Sequence, residues 1–172
     1  MLALLSEAPR LKPVQQEQGE KVERNTYSQI YIQIVFAVKG RQNLIRKEHK
    51  VEIHKYITGI VRNKKQKLLA INCMPDHTHI FAGLKPDIKI SDLVRDVKSI
   101  SSSFINDKKF VNGKSSWQHG FGAFSYSHSH IDRVVKYVLN QEEHHKKRTF
   151  REEYIGLLEK FNVEYDPKYI FE

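Results

Sequence analysis

A regular switch between two hydrophobic periods constrains this chain more than any other feature. From Tyr27 onward, Ile30, Ile32, Ile34, Phe36 and Val38 alternate with Gln29, Tyr31, Gln33 and Val35. That is the period of a half-buried strand with one core face and one polar, aromatic face. After Gly40 the period lengthens, and over residues 46–66 Ile53, Ile57, Ile60 and Val61 share one stripe of an amphipathic helix. Residues 68–73 (LLAINC) and 77–84 (HTHIFAGL) are short β-rich runs divided by Met74-Pro75-Asp76, a sequence suited to a hairpin turn. Residues 91–106 return to the helical period through Leu93, Val94, Val97, Ile100, Phe104 and Ile105, with Ser91 as candidate cap. The aromatic, glycine-rich stretch 117–128 (WQHGFGAFSYSH) reads as a last strand. Strand, helix, strand, strand, helix, strand is the split βαβ order. The expected fold is therefore α+β and ferredoxin-like, a four-stranded antiparallel sheet with two helices on one face.

Residues 129–147 supply an additional helix. Ile131, Val134, Val135, Val138 and Leu139 form its apolar stripe, while His130, Arg133, Tyr137, Gln141 and His144 fall on another face. A final helix around 151–161 carries Tyr154, Leu157, Leu158 and Phe161, residues suited to packing. Two helices on one side leave the other sheet face open. The additional helix is available to cover it, from the same chain or from a partner subunit. Residues 1–25, with two prolines among many charges and no aromatic anchor, read as a flexible extension ahead of one domain spanning residues 26–172.

The chemistry concentrates at His77 and His79. Alternate residues of a strand point the same way, so both imidazoles aim at one point and their spacing suits a shared metal ion. A closed structural zinc centre needs four protein ligands, and the single cysteine, Cys73, has a parity that sends it toward the core. An open, catalytic coordination sphere is the alternative. Tyr137 and Gln141, spaced i and i+4, would lie on one side of a helix a turn apart, whereas His144 and His145 diverge by about 100° and read as surface or DNA-facing residues. The 29 lysines and arginines against 20 acidic residues, for a net charge of +9, favour a polyanionic partner. Lys39, Arg41, Lys64, Lys65, Arg133, Lys146 and Lys147 are candidate phosphate contacts, and Tyr31, Phe121 and Phe124 candidate base-stacking residues. No apolar run reaches bilayer length, the first residues lack the pattern of an export signal, and one cysteine fits a reducing compartment, so a cytoplasmic protein is expected.

Met74-Pro75-Asp76-His77-Thr78-His79-Ile80-Phe81 resembles the histidine-hydrophobe-histidine motif of the single-tyrosine HUH transposases of bacterial insertion sequences, the IS200-like type, with Thr78 at the hydrophobe position. Ser91 to Lys98 resembles the second helix of that family, and Trp117-Gln118 with Gly122 to Ser125 the segment before its catalytic helix. Tyr137-Val138-Leu139-Asn140-Gln141 resembles that helix itself. The likeness runs in order over about residues 26–172. It implies a DNA transposase of a mobile element, a metal-dependent single-stranded DNA endonuclease and strand transferase. Tyr137 would be the nucleophile that forms a covalent 5′-phosphotyrosine, with His77, His79 and Gln141 as ligands of Mg²⁺, or of Mn²⁺ in its place. It further implies single-stranded or hairpin DNA as partner, nucleoid association when DNA is bound, and a homodimer in which one subunit's tyrosine helix can serve the other's histidines. A host-retained relative that processes palindromes or binds structured nucleic acid is the alternative reading.

Overall fold

The computed structural model describes residues 27–41 and 45–170. The extension read over residues 1–25 lies outside them, and Arg41 is described in its backbone alone. Strands β1 (Ile30–Ala37), β2 (Lys67–Cys73), β3 (His77–Leu84) and β4 (Gly122–Tyr126) alternate with helices α1 (Lys50–Asn63) and α2 (Ile90–Asp107). They form one sheet in the order β2-β3-β1-β4, every pair antiparallel, which is the expected split βαβ topology.

Alternation divides the sheet residues between two layers. Ile32, Ile34 and Phe36 of β1 and Ile80, Ala82 and Leu84 of β3 join Ile53, Ile57 and Val61 of α1 and Leu93, Val94 and Val97 of α2 in the larger core. Cys73 is buried there, as its parity predicts. The intervening residues Gln33, Val35, Ala37, His77, His79 and Phe81 point to the opposite face and are also buried. They are covered by three further helices of the same chain, α3 (Ile131–Leu139), α4 (Gln141–His145) and α5 (Phe150–Lys160). Val134 and Val138 of α3 pack on Ala70 and Phe81, while Phe150, Leu157 and Leu158 of α5 pack on Val35, Ala37 and Phe124. Each such side chain contributes about 1.5–3 kcal/mol when fully buried, so the second layer has its own core. The tyrosine helix thus rests on its own chain's sheet.

Two local departures from the expected strands have clear causes. The last strand is shorter than residues 117–128, because Gly120 adopts φ +77 and turns the chain. Trp117 makes an isolated bridge with Val38 instead, its indole N–H donating to Ser101 Oγ at 2.9 Å. In β2 the register slips between Leu68 and Ala70, a bulge that interrupts strict alternation. Gly122 is required at the start of β4, since a Cβ there would stand 3.0 Å from the Tyr154 ring of α5.

His54 ties α1 to the end of β2 just before the histidine hairpin, its Nε2 accepting the Cys73 backbone N–H at 2.7 Å. Burial, with help from the Lys50 charge, lowers its pKa to about 4. The folded value lies below the ordinary 6.5, so its stability contribution is present above pH 6.5 and lost as pH falls through 4. With solvent screening allowed for, His54 is expected to cost the fold about 2 kcal/mol over that interval. Urea unfolding at pH 7 and pH 4 should show a smaller acid loss in His54→Gln, whose amide oxygen can accept the same N–H. Equal losses in the two proteins would remove His54 as the cause.

Candidate active site

The hairpin of β2 and β3 delivers His77 and His79 to the second layer, with both rings fully buried and their centroids 5.1 Å apart. Each imidazole is fixed from behind. His77 Nδ1 lies 2.7 Å from Asp76 Oδ1, the geometry of an N–H donated to a carboxylate, and its ring stacks on Phe150 at 4.0 Å. His79 Nδ1 lies 3.1 Å from the side-chain amide of Gln33, whose Oε1 accepts the Tyr126 hydroxyl at 2.9 Å. The Nε2 atoms of both histidines are left facing α3, α4 and α5. Thr78, between them, is buried on the other side of the strand, where the parity of β3 places it.

Tyr137 is carried on α3, and its ring meets His79 edge-on at 6.0 Å. The helix expected over 129–147 is divided at Asn140, where φ −95 and ψ 25 leave the helical range. Asn72 of β2 accounts for the break. Its Nδ2 donates to the carbonyls of Val138 at 2.9 Å and Leu139 at 3.1 Å, and Glu143 N–H turns to the Asn140 carbonyl at 3.1 Å. Gln141 still follows Tyr137 by one turn, fully buried, with its Nε2 3.4 Å from the Tyr137 carbonyl.

One buried carboxylate joins the nucleophile candidate to the histidines. Glu153, in the first turn of α5, accepts hydrogen bonds at Oε1 from the Tyr137 hydroxyl and from Gln141 Nε2, the latter at 2.9 Å. Its Oε2 stands 3.1 Å from His145 Nε2, 3.5 Å from His79 Nε2 and 3.8 Å from His77 Nε2. His145 Nε2 is in turn 3.1 Å from both His77 Nε2 and Gln141 Oε1. Burial alone would raise the Glu153 carboxyl, but the close imidazoles of His145 and His79 outweigh it and hold the group well below the usual range. His145 is pushed up by Glu153, and burial lowers His77 to about 4 despite Asp76. Burial, then the charge of Glu153, raises Tyr137 above the ordinary phenol range. At neutral pH the site therefore holds a neutral phenol, a neutral His77 and a carboxylate.

Candidate phosphate contacts fall into separate groups. Arg133 lines a cavity of about 370 Å³ with Tyr137, Glu153, His145, Arg148 and Lys160. Lys146 and Lys147 line a second cleft, of about 450 Å³, with Asp76, His145 and Arg148. Lys39 is exposed just beyond Ala37, the residue paired with His77. Lys64 and Lys65 stand at the other end of the sheet, where Lys67 pairs with Gly83, and Lys64 is ion-paired with Asp96. Phe124 packs against Phe161 at 5.0 Å, so it is a core ring, whereas Phe121 is partly exposed.

The expectation that His145 faces outward with His144 is corrected, since it is half-buried with Nε2 at the site, while Glu153 and the orienting role of Asp76 were not read from the sequence. A readable signal was present for Glu153. Thr149-Phe150-Arg151-Glu152 is a capping box, with both reciprocal bonds formed, and it fixes the start of α5 so that Glu153 falls in the first turn. Packing of α3 depends on Asn72, whose removal would leave two carbonyls at the helix end without their donor. Asn72→Ala is expected to cost about 1–3 kcal/mol and to speed amide exchange in α3 and α4 above that in α1. Unchanged exchange in α3 would show that Asn72 does not dock it.

A family model described as "Transposase IS200 like" matches residues 26–141, ending at Gln141 and before α5. No curated protein matches the chain. Among solved structures, a candidate transposase from Deinococcus radiodurans R1 is similar with a TM-score of 0.55 and 20% identity, over 71% of this chain and 98% of the other. A REP-associated tyrosine transposase bound to a REP hairpin gives a TM-score of 0.55 and 16% identity, over 73% of this chain and 74% of its own. Both likenesses are of fold.

Proposed function

Because the chain belongs to the IS200-like transposase family, we propose that it is a metal-dependent single-stranded DNA endonuclease and strand transferase with Tyr137 as nucleophile. The observation that carries this reading is the meeting of the Tyr137 hydroxyl, Gln141 and the imidazoles of His77 and His79 on one buried carboxylate within a single chain.

The donor set fits a divalent cation. His79 Nε2 and Glu153 Oε2 are buried atoms without a hydrogen-bond partner. His77, donating through Nδ1 to Asp76, keeps the Nε2 lone pair for a ligand bond. Turning the Gln33 amide over gives His79 the same tautomer, with Tyr126 then accepting from the amide, and no heavy atom needs to move. His77, His79 and the carbonyl of Gln141 would hold Mg²⁺ or Mn²⁺. The ion would supply charge neutralisation at the scissile phosphate and at the leaving oxygen.

The chain's own residues supply the rest. Tyr137 Oη forms the bond to phosphorus, its proton leaving to solvent, while the P–O3′ bond breaks and the 3′ oxygen takes up a proton. The product is a 5′-phosphotyrosine, which a second 3′-OH can attack because phenolate is a good leaving group, so rejoining needs no nucleotide cofactor. Arg133, Arg148 and Lys160, which line the cavity at Tyr137, suit an incoming phosphate, and Lys146 and Lys147 beyond His145 continue the basic path. Single-stranded DNA, or the single-stranded flank of a hairpin, suits this path, since the phosphodiester must reach a half-buried phenol. The homodimer implied by family resemblance would then pair two sites each formed within one chain.

Denaturing electrophoresis of the protein with labelled, hairpin-bearing single strands and Mg²⁺ should reveal a covalent adduct. Tyr137→Phe is expected to lose it while retaining DNA binding, and an undiminished adduct in that variant would refute the nucleophile. Mixing Tyr137→Phe with His77→Ala separates the two assemblies. With each site built in one chain the mixture stays inactive, whereas recovery toward a quarter to a half of wild-type adduct would require sites completed between subunits.

A further inference from the structure

Glu153 lies outside the stretch matched to the family and is absent from the ligand set considered so far. Resting on the metal-dependent reading above, we propose that Glu153 is an anionic protein ligand of the same cation, and that its second oxygen positions the Tyr137 hydroxyl.

The two carboxylate oxygens face different groups. Oε1 is occupied by Tyr137 and Gln141, both donors. Oε2 stands 3.1 Å from His145 Nε2 as an ion-pair neighbour but makes no well-aligned hydrogen bond, and His79 Nε2, 3.5 Å away, makes none either. Among the described residues, His77, His79 and Glu153 form a buried set whose ligand atoms all lie within 4.8 Å of one another. Neighbouring ligands about 2.1 Å from a common ion stand about 3–3.5 Å apart. The observed 3.5 and 3.8 Å separations from Oε2 to the two imidazole nitrogens need to close by only a few tenths of an ångström.

Charge argues the same way. Two neutral imidazoles and an amide leave a buried dication uncompensated, and a carboxylate at that point neutralises half of it while favouring a hard cation. His145 Nε2 stands 3.1 Å from each of Glu153 Oε2, His77 Nε2 and Gln141 Oε1, and that central place is the one a cation would take over. The helix start adds to this, since the first turn of α5 stabilises an anion at Glu153.

The test uses the full-length chain, without DNA, and Mn²⁺ binding read by loss of the free-ion electron paramagnetic resonance signal. The wild-type chain should bind one ion, and Glu153→Gln should bind at least ten times more weakly. His77→Ala serves as the reference for a lost ligand. Wild-type affinity in a folded Glu153→Gln, with binding lost in His77→Ala, overturns the proposal and leaves the histidine site standing. No binding to the wild-type chain overturns both. Circular dichroism checks the fold of each variant. Glu153→Met is the second variant, because an apolar side chain of similar volume removes the need for charge pairing, and the same tenfold weakening is expected of it.

Discussion

A carboxylate buried in the second layer cannot be left unpaired, and the arrangement around Glu153 follows from that requirement. The penalty for taking an ion out of water is several kcal/mol, so its neighbours must supply hydrogen bonds or opposite charge. Tyr137 and Gln141 satisfy one oxygen, and His145 approaches the other. Each comes from a different turn of the α3 and α4 segment, so pairing this one charge also brings α5, the tyrosine and the histidine strand together. The same demand explains why His145, adjacent to an exposed His144, is drawn inward. Neutral phenol and neutral His77 are consequences of burial in the same pocket.

That pocket exists because both sheet faces are covered. Strict alternation in β1 and β3 sends Ile34, Phe36 and Ile80 to one core and Gln33, Val35, His77 and His79 to the other. The polar side chains on the second face are tolerable only because they bond one another. Tyr126 donates to Gln33, Gln33 meets His79, and Asp76 takes the N–H of His77. A shift of one residue in the pairing of β3 would exchange His77 and His79 for Thr78 and Ile80. The turn at Met74-Pro75-Asp76 fixes that register, with Met74 N–H bonded to the His77 carbonyl at 2.8 Å and Val38 N–H to the Asp76 carbonyl at 2.8 Å.

The elements that alternate cleanly were legible in the sequence, because period two and period 3.6 are set by backbone geometry and need no tertiary partner to be read. β1, β3, α1 and α2 are of this kind, and so is the parity that separates His77 and His79 from Thr78. Features that depend on a distant residue were not legible. The break at Asn140 arises because Asn72, 66 residues earlier in the chain than Val138, takes the carbonyl that would continue the helix. The short β4 depends on a positive φ at Gly120. Glu153 lay on a helix whose Leu157 and Leu158 advertise packing, and neither composition nor period distinguishes a carboxylate that points inward from one that is solvated. Its capping box located the helix start; only the folded layer shows what the next side chain faces.

The break at Asn140 also bears on how the site can be assembled at all. A straight helix through residue 147 would carry Gln141 and His145 along the axis of α3, at the fixed spacing of successive turns. The chain instead departs from helical geometry at Asn140, with Gln141 fully buried while Tyr137 keeps contact with the cavity that contains Arg133 and Arg148. The nucleophile candidate then faces the basic cavity on one side and the histidines on the other. Asn72 lies on the strand next to β3, opposite His79 in the register, so the donor that ends the tyrosine helix is held by the same pairing that sets the histidine. Helix end and histidine position are consequently fixed by one strand pair, which is the economical way for a single chain to hold both halves of such a site in register.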